Sequence, residues 1–257
     1  MQQFSHFITL AHYTTSPYQC GYLSAETAQL RYRVLIGVTA EQHEALLTRG
    51  WRRFGYEWFR PVCPACSACR SLRIPVAAFI PSRSQRRTLQ RNRDIHVVIQ
   101  APTITDEHVQ LYNAYHADMQ QRRGWPRDRI TPLTYFQRYI GGEWAFAREF
   151  LYYKHNRLVG VGLADLTPRA LSSVYFFHDP AWRPLAPGVF SVLQQLAYAQ
   201  RQGLQYHYMG YWIAACPSMA YKAQYRPHEL LAWYPPDDVD PEWVAVSDTS
   251  RGVQSPL

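Results

Sequence analysis

Lysine is almost missing from this chain: only Lys154 and Lys222 stand among its 27 basic residues. Acids are scarce too, 19 against those 27, which leaves a formal net charge of +8. Also missing is any run near the ~18 apolar residues that a membrane-crossing helix requires, so no membrane partner is expected. The N-terminus lacks the charged-then-apolar pattern of a secretory signal, which points to the cytoplasm. In that reducing setting the five cysteines are expected as thiols or metal ligands rather than disulfides. No internal repeat occurs. A chain of 257 residues that is 47% apolar can nevertheless bury a sizeable core, as one large domain or two closely packed ones.

The basic residues are concentrated. Eleven arginines fall between Arg49 and Arg93 against a single acid, Glu57. A guanidinium offers a bidentate fork to phosphate or carboxylate, so a polyanionic partner is expected, although a soluble basic protein has the same net charge. Leucine zippers, Cys2His2 fingers and aromatic ribonucleoprotein signatures are all lacking. RNA shape and phosphate recognition therefore fits better than DNA reading.

Local patterns predict a strand from Phe4 to Leu10 and a helix over 40–49, opened by Thr39 with Gln42 and stopped at Gly50. Aromatic strand-like residues span 51–59, and an apolar strand covers 72–79. A helix over 82–93 follows Pro81, then a strand over 95–99. A longer helix over 105–121 carries Val109, Tyr112, Tyr115, His116 and Met119 on one face. Beyond a loop and a helix over 133–140, strands over 150–153 and 157–165 form a hairpin about His155 and Asn156, with a third strand over 171–177. A helix over 189–202 and a strand over 206–211 complete an order that suits an α+β acyltransferase core. Residues 235–257 lack periodicity and read as a disordered tail.

Cys63, Cys66 and Cys69 share one tight loop, and Cys20 is a candidate fourth ligand. Four thiolates would suit zinc or an iron–sulfur cluster; the alternative is reduced thiols packed as small apolar groups. In the helix over 82–93, Arg83, Arg87 and Arg91 repeat every four residues. Their mutual repulsion costs a few tenths of a kcal/mol per pair, roughly, unless an anion relieves it. Ser82 can cap that helix. Near the C-terminus, Ser173, Tyr175 and Phe177 alternate along a strand and are expected on one face. Lys222, flanked by tyrosines and near Arg226, is a candidate ligand for a phosphate or an ester carbonyl, against the alternative of an exposed charge.

Nine ordered motifs then converge. Cys20-Gly-Tyr-Leu23, Gly50-Trp-Arg-Arg-Phe54, the run from Arg60 through Cys69, Arg73-Ile-Pro-Val76, Ser82-Arg-Ser-Gln-Arg-Arg87, Arg91-Asn92, Ser172 to Phe177, Gly210 to Ile213, and Met219 through Glu229 resemble the arginyl-tRNA–protein transferases. The similarity runs from about Cys20 to Glu229 and is nearest, by length, to the bacterial aspartate/glutamate leucyltransferase branch. The resemblance departs at Ala186-Pro187-Gly188 and at Arg123-Gly124.

It implies a GNAT-like acyltransferase core over 101–234, a cysteine-bearing N-terminal subdomain over 1–100, and transfer of leucine, or less favourably arginine, from aminoacyl-tRNA to proteins with N-terminal Asp or Glu. It implies Asp165, Tyr175, Tyr211 and Lys222 as residues orienting amine and ester. Arg52, Arg53, Arg73, Ser82, Arg83, Gln85, Arg86, Arg87, Arg91 and Arg226 are implied for tRNA or substrate. No cofactor is required for such a transfer. An acyl-CoA-dependent N-acetyltransferase shares the fold class but expects a glycine-rich pyrophosphate loop, which 183–188 lacks; a non-enzymatic RNA-binding module is the other alternative.

Overall fold

A computed structural model describes residues 7–246, so the first part of the strand expected from Phe4 and the last part of the expected tail lie outside the described residues. The chain opens with β1 (Ile8–Thr14), the short β2 (Tyr18–Gln19) and β3 (Thr27–Ala28), and β4 (Leu30–Ile36). Helix α1 (Ala40–Thr48) starts at a complete capping box in which Thr39 and Gln42 satisfy each other's backbone N–H. It ends at Gly50, whose φ of +81° suits glycine. Strands β5 (Arg52–Phe54) and β6 (Glu57–Pro61) split the expected aromatic stretch with a turn at Gly55. With β1 and β4 they form an antiparallel sheet in the order β1-β4-β6-β5.

The second sheet has eight strands. After β7 (Arg70–Pro75) come α2 (Arg83–Arg91), β8 (His96–Gln100), α3 (Asp106–Arg123) and α4 (Pro132–Tyr135), which runs into a π-helical turn at Phe136–Ile140. Strands β9 (Ala147–Lys154) and β10 (Arg157–Leu166) make the expected hairpin; His155 and Asn156 both take positive φ, the conformation a tight two-residue turn demands. Then follow β11 (Ala170–His178), α5 (Pro187–Arg201), β12 (Tyr206–Trp212), α6 (Pro217–Ala220), β13 (Glu229–Leu231) and β14 (Trp243–Ala245). The order is β14-β13-β7-β12-β11-β10-β9-β8, so the fold is α+β around a mixed sheet. β7 lies between β12 and β13, and the sheet thus draws strands from both sides of the boundary expected at residue 100. Strand β14 also places part of the expected tail inside the sheet.

Among the described residues only β11 and β12 run parallel, joined by the α5 crossover. Their ladder covers Ala170↔Tyr206 to Ser172↔Tyr208, after which the two strands part. One face of the sheet packs on α5 and α2 through Phe150, Leu171, Trp182, Phe190 and Leu196. The opposite face packs on α3 and the π turn through Tyr112, Tyr135, Val161 and Phe177. The small sheet joins it there, by way of Phe54. No helix among the described residues is long and apolar enough to cross a membrane.

Candidate functional site

The α3 face carries a cleft of about 630 Å3 lined by Phe54, Tyr56, Tyr112, Tyr139 and Tyr175, with Glu57, Asp128 and Arg138 as its charges. A β-bulge aims Tyr175 into it. The β10–β11 register pairs Leu163 with Tyr175 but Ala164 with Ser173, so Val174 is an extra residue. The expected sharing of one face by Ser173 and Tyr175 therefore does not hold. Ser173 Oγ donates to Gln195 of α5 at 2.6 Å, whereas the Tyr175 hydroxyl lies 2.8 Å from His116 Nε2 of α3. Tyr175 also stacks on Tyr139 and meets Phe54 edge-on.

Asp128 forms the polar end of the cleft. Its Oδ2 accepts from the Tyr112 hydroxyl at 2.7 Å and from Arg138 at 2.6 Å. His116 Nδ1 lies 3.8 Å away. Burial pushes the Asp128 carboxyl up, but the bonds from Tyr112 and Arg138 outweigh it and hold the group below its ordinary value. Arg138 sits in the π turn, which approaches the small sheet so closely that a Cβ on Gly55 would lie 2.4 Å from the Gln137 carbonyl oxygen. Glu57, Asp128, Arg138, Tyr139 and His116 were not among the sequence-derived site residues. Their only sequence signal is one acid and one arginine flanking an aromatic helix.

Several expected site residues are buried and bonded within the fold. Asp165 is 1% exposed and gripped by Arg53 through Nε at 3.2 Å and Nη2 at 2.5 Å. His43 Nε2 completes the cluster at 2.9 Å, and its other ring nitrogen accepts from Trp58. Asp165 on β10 and Arg53 on β5 are both buried, joining the large sheet to the small one. The Tyr211 hydroxyl is likewise buried, within bonding distance of the Gly50 and Phe59 carbonyls. Arg73 bonds Glu229 at 2.7 Å and Tyr208 at 3.2 Å while its guanidinium lies between the rings of Tyr206 and Trp243. That arrangement leaves it poorly placed for an acceptor carboxylate.

Where β11 and β12 part, Arg52 donates to Ser172 Oγ at 2.8 Å and to the Ser173 carbonyl. Lys222 is buried, not exposed, and donates to the Tyr211 carbonyl at 2.5 Å. Burial first, then Arg52, pulls its pKa down to about 7. Arg226 is exposed on the segment that follows.

Helix α2 explains its own sequence. Ser82 and Gln85 form a capping box, and Gln85, Thr88 and Asn92 turn inward. Asn92 donates to the Leu185 carbonyl at 2.8 Å and accepts from Trp182 at 2.7 Å, fixing α2 to the turn before α5. Arg83, Arg86, Arg87 and Arg91 all remain exposed. They lie on the α5 side of the sheet, so the structure does not bring them together with Tyr175.

Cys20, Cys63, Cys66 and Cys69 line one cavity of about 320 Å3. Burial, then the neighbouring thiols, pushes Cys69 up to about 12. Among the described residues, however, no three His, Cys, Asp or Glu side chains converge as a metal site. The Cys63 sulfur contacts the Gln29 backbone and Cys20 accepts from the Tyr22 N–H. As placed, the four thiols do not fit a bound ion.

Two family descriptions match the chain: the N terminus of arginine-tRNA-protein transferase over residues 18–87, and its C terminus over residues 107–232. The chain belongs to this transferase family. An aspartate/glutamate leucyltransferase of Pseudomonas paraeruginosa is 37% identical over 93% of this chain and 97% of its own. That of Helicobacter hepaticus is 37% identical over 87% and 93%, and that of Aeromonas salmonicida 41% identical over 84% and 90%. Among solved structures, FemX aligns with a TM-score of 0.43 at 9% identity, over 78% of this chain and 79% of that one. The matched regions contain every expected site residue except Arg91, and they include the cleft residues Glu57, Asp128 and Arg138.

Proposed function

We propose that the protein moves leucine from charged tRNA onto the α-amine of proteins that begin with Asp or Glu, marking them for N-degron degradation in the cytoplasm. The carrying observation is likeness to aspartate/glutamate leucyltransferases along nearly the full length of both chains. The parallel β11–β12 pair, its α5 crossover and the parting of the strands support a GNAT-like acyltransferase core, assigned to 101–234 with β7 and β8 added from the cysteine-bearing N-terminal subdomain proposed over 1–100. An acyl-CoA donor is disfavoured at the turn before α5, where Pro184 and Pro187 lack the N–H donors that a pyrophosphate would need.

The aromatic cleft is assigned to the aminoacyl end of the donor. Its walls suit an isobutyl side chain, and Glu57 leaves an unmatched negative charge for the donor's α-ammonium, a lining that disfavours the acceptor's carboxylate. The exposed arginines of α2 are assigned to tRNA phosphates and Arg226 to the acceptor's acidic side chain. Lys222 and Arg52 place positive charge where the ester oxygen becomes an oxyanion.

In the reaction, the acceptor nitrogen attacks the ester carbonyl, an amide bond forms and the ester C–O bond breaks. The terminal 3′-oxygen leaves with the proton released by the amine. The ester is already activated, and an α-amine with pKa ~7.7–8.0 is partly neutral at cellular pH. Alignment then dominates, worth up to ~7–11 kcal/mol. Label from leucyl-tRNA should appear on peptides beginning with Asp or Glu and not on an Ala-initiated control; equal labelling of all three would overturn the assignment.

A further inference from the structure

We infer that the Arg138–Asp128 ion pair sets the donor preference, admitting a leucyl side chain to the aromatic cleft and refusing an arginyl or lysyl one. The inference rests on the assignment of that cleft to the donor's amino acid. Four aromatic rings, those of Phe54, Tyr112, Tyr139 and Tyr175, supply the apolar walls, and Asp128 is the carboxylate that adjoins them at the polar end. In most sites a cationic side chain would be read by such a carboxylate through a forked guanidinium contact. Here the chain's own Arg138 already donates through Nη1 to Asp128 Oδ2, at 2.6 Å, and the Tyr112 hydroxyl in the cleft wall donates to the same oxygen at 2.7 Å.

An incoming guanidinium therefore finds Asp128 already paired and meets a fixed like charge. Rejection has both a missing attraction and an added repulsion. An isobutyl group needs neither charge. Glu57, the remaining acid of the lining, is exposed on β6 and accepts from the Tyr13 hydroxyl at 3.3 Å. The placement of Arg138 is built in. Its π turn closes through Gly141 N–H to the Phe136 carbonyl at 2.7 Å, and Gly55 lets that turn approach β5 and β6. π turns of this kind recur at functional sites because they shift one residue out of the helical register.

The test is competition between leucyl-tRNA and arginyl-tRNA for one Asp-initiated peptide, in the parent, R138Q and R138Q/D128N. R138Q unmasks the carboxylate, so the leucine-to-arginine ratio of kcat/KM should fall at least tenfold. The double variant, with neither charge, should regain leucine preference over R138Q. A ratio within twofold of the parent in R138Q would overturn the inference. If R138Q transfers neither amino acid, the same ratio is read from binding of adenosine 3′-amides of leucine and arginine, and an unchanged preference there also overturns it. Tyr139→Ala separates the underlying assignment: a leucyl-donor KM unmoved by loss of this wall refutes the cleft as the donor site, whatever the charge variants do.

Discussion

Replacing Arg53 with methionine keeps much of the side-chain stem but removes the guanidinium that grips both oxygens of Asp165. The two side chains are each 2% exposed, so the carboxylate would be left buried with the His43 ring as its remaining hydrogen-bond partner. Breaking one partner of a buried, hydrogen-bonded pair costs ~3–5 kcal/mol. In a chain of this size each kcal/mol lowers Tm by roughly 2–4 °C, so a fall of about 6–20 °C is expected by calorimetry. Removing the stranded charge as well, in R53M/D165N, should recover part of that loss. The pH dependence has a definite sign. Burial pushes the Asp165 carboxyl up, but Arg53 and His43 reverse this and hold it below its ordinary value. The pair's stability is thus fully present above the unfolded pKa of ~3.9 and is lost as pH falls through the lower folded value. R53M should melt with a weaker acid-side slope. A Tm within about 2 °C of the parent, or a double variant no better than the single, would refute a scaffolding role for this cluster.

Arg87→Ala should weaken tRNA binding and lower its log–log salt slope by about one, with melting unchanged, because an exposed arginine on α2 contributes to phosphate contact and not to packing; an unaltered slope removes Arg87 from the interface. Gly55→Ala forces a Cβ against the Gln137 carbonyl and requires a left-handed φ of +50°, so a raised leucyl-tRNA KM and a stability loss of ~1–3 kcal/mol are expected from kinetics and denaturant melts. Lys222→Met should lose transfer. Because burial and Arg52 lower the lysine to about 7, the parent's stability should rise with pH between about 7 and its unfolded value of ~10.4, and the methionine variant should lack that rise.

Local grammar was legible wherever one residue type has one backbone use. Thr39 with Gln42, Ser82 with Gln85, Gly50, and the His155–Asn156 turn each marked an element boundary that the structure contains. The arginines of α2 could be read as a helical face for the same reason. Features that depend on a distant partner were not legible. The grip of Arg53 on Asp165 joins residues 112 positions apart, which no local pattern announces. Arg73 looked available until Trp243 and Glu229 enclosed it. A strict alternation cannot announce an extra residue, so the bulge at Val174 that turns Tyr175 into the cleft was missed. Strands β13 and β14 are three residues each and take their stability from the neighbouring sheet, leaving no period to detect. The cysteines fall between these cases: the spacing put Cys63, Cys66 and Cys69 on one loop, while the approach of Cys20 and the orientation of the thiols depend on the fold.

The central claim, leucine moved from tRNA to an acidic N-terminus, is tested most directly in one tube containing the protein, tritiated leucyl-tRNA, carbon-14 arginyl-tRNA and a peptide that begins with Asp. The peptide should carry tritium in large excess over carbon-14. Carbon-14 in excess, or no label from either donor on a folded protein, would contradict the claim.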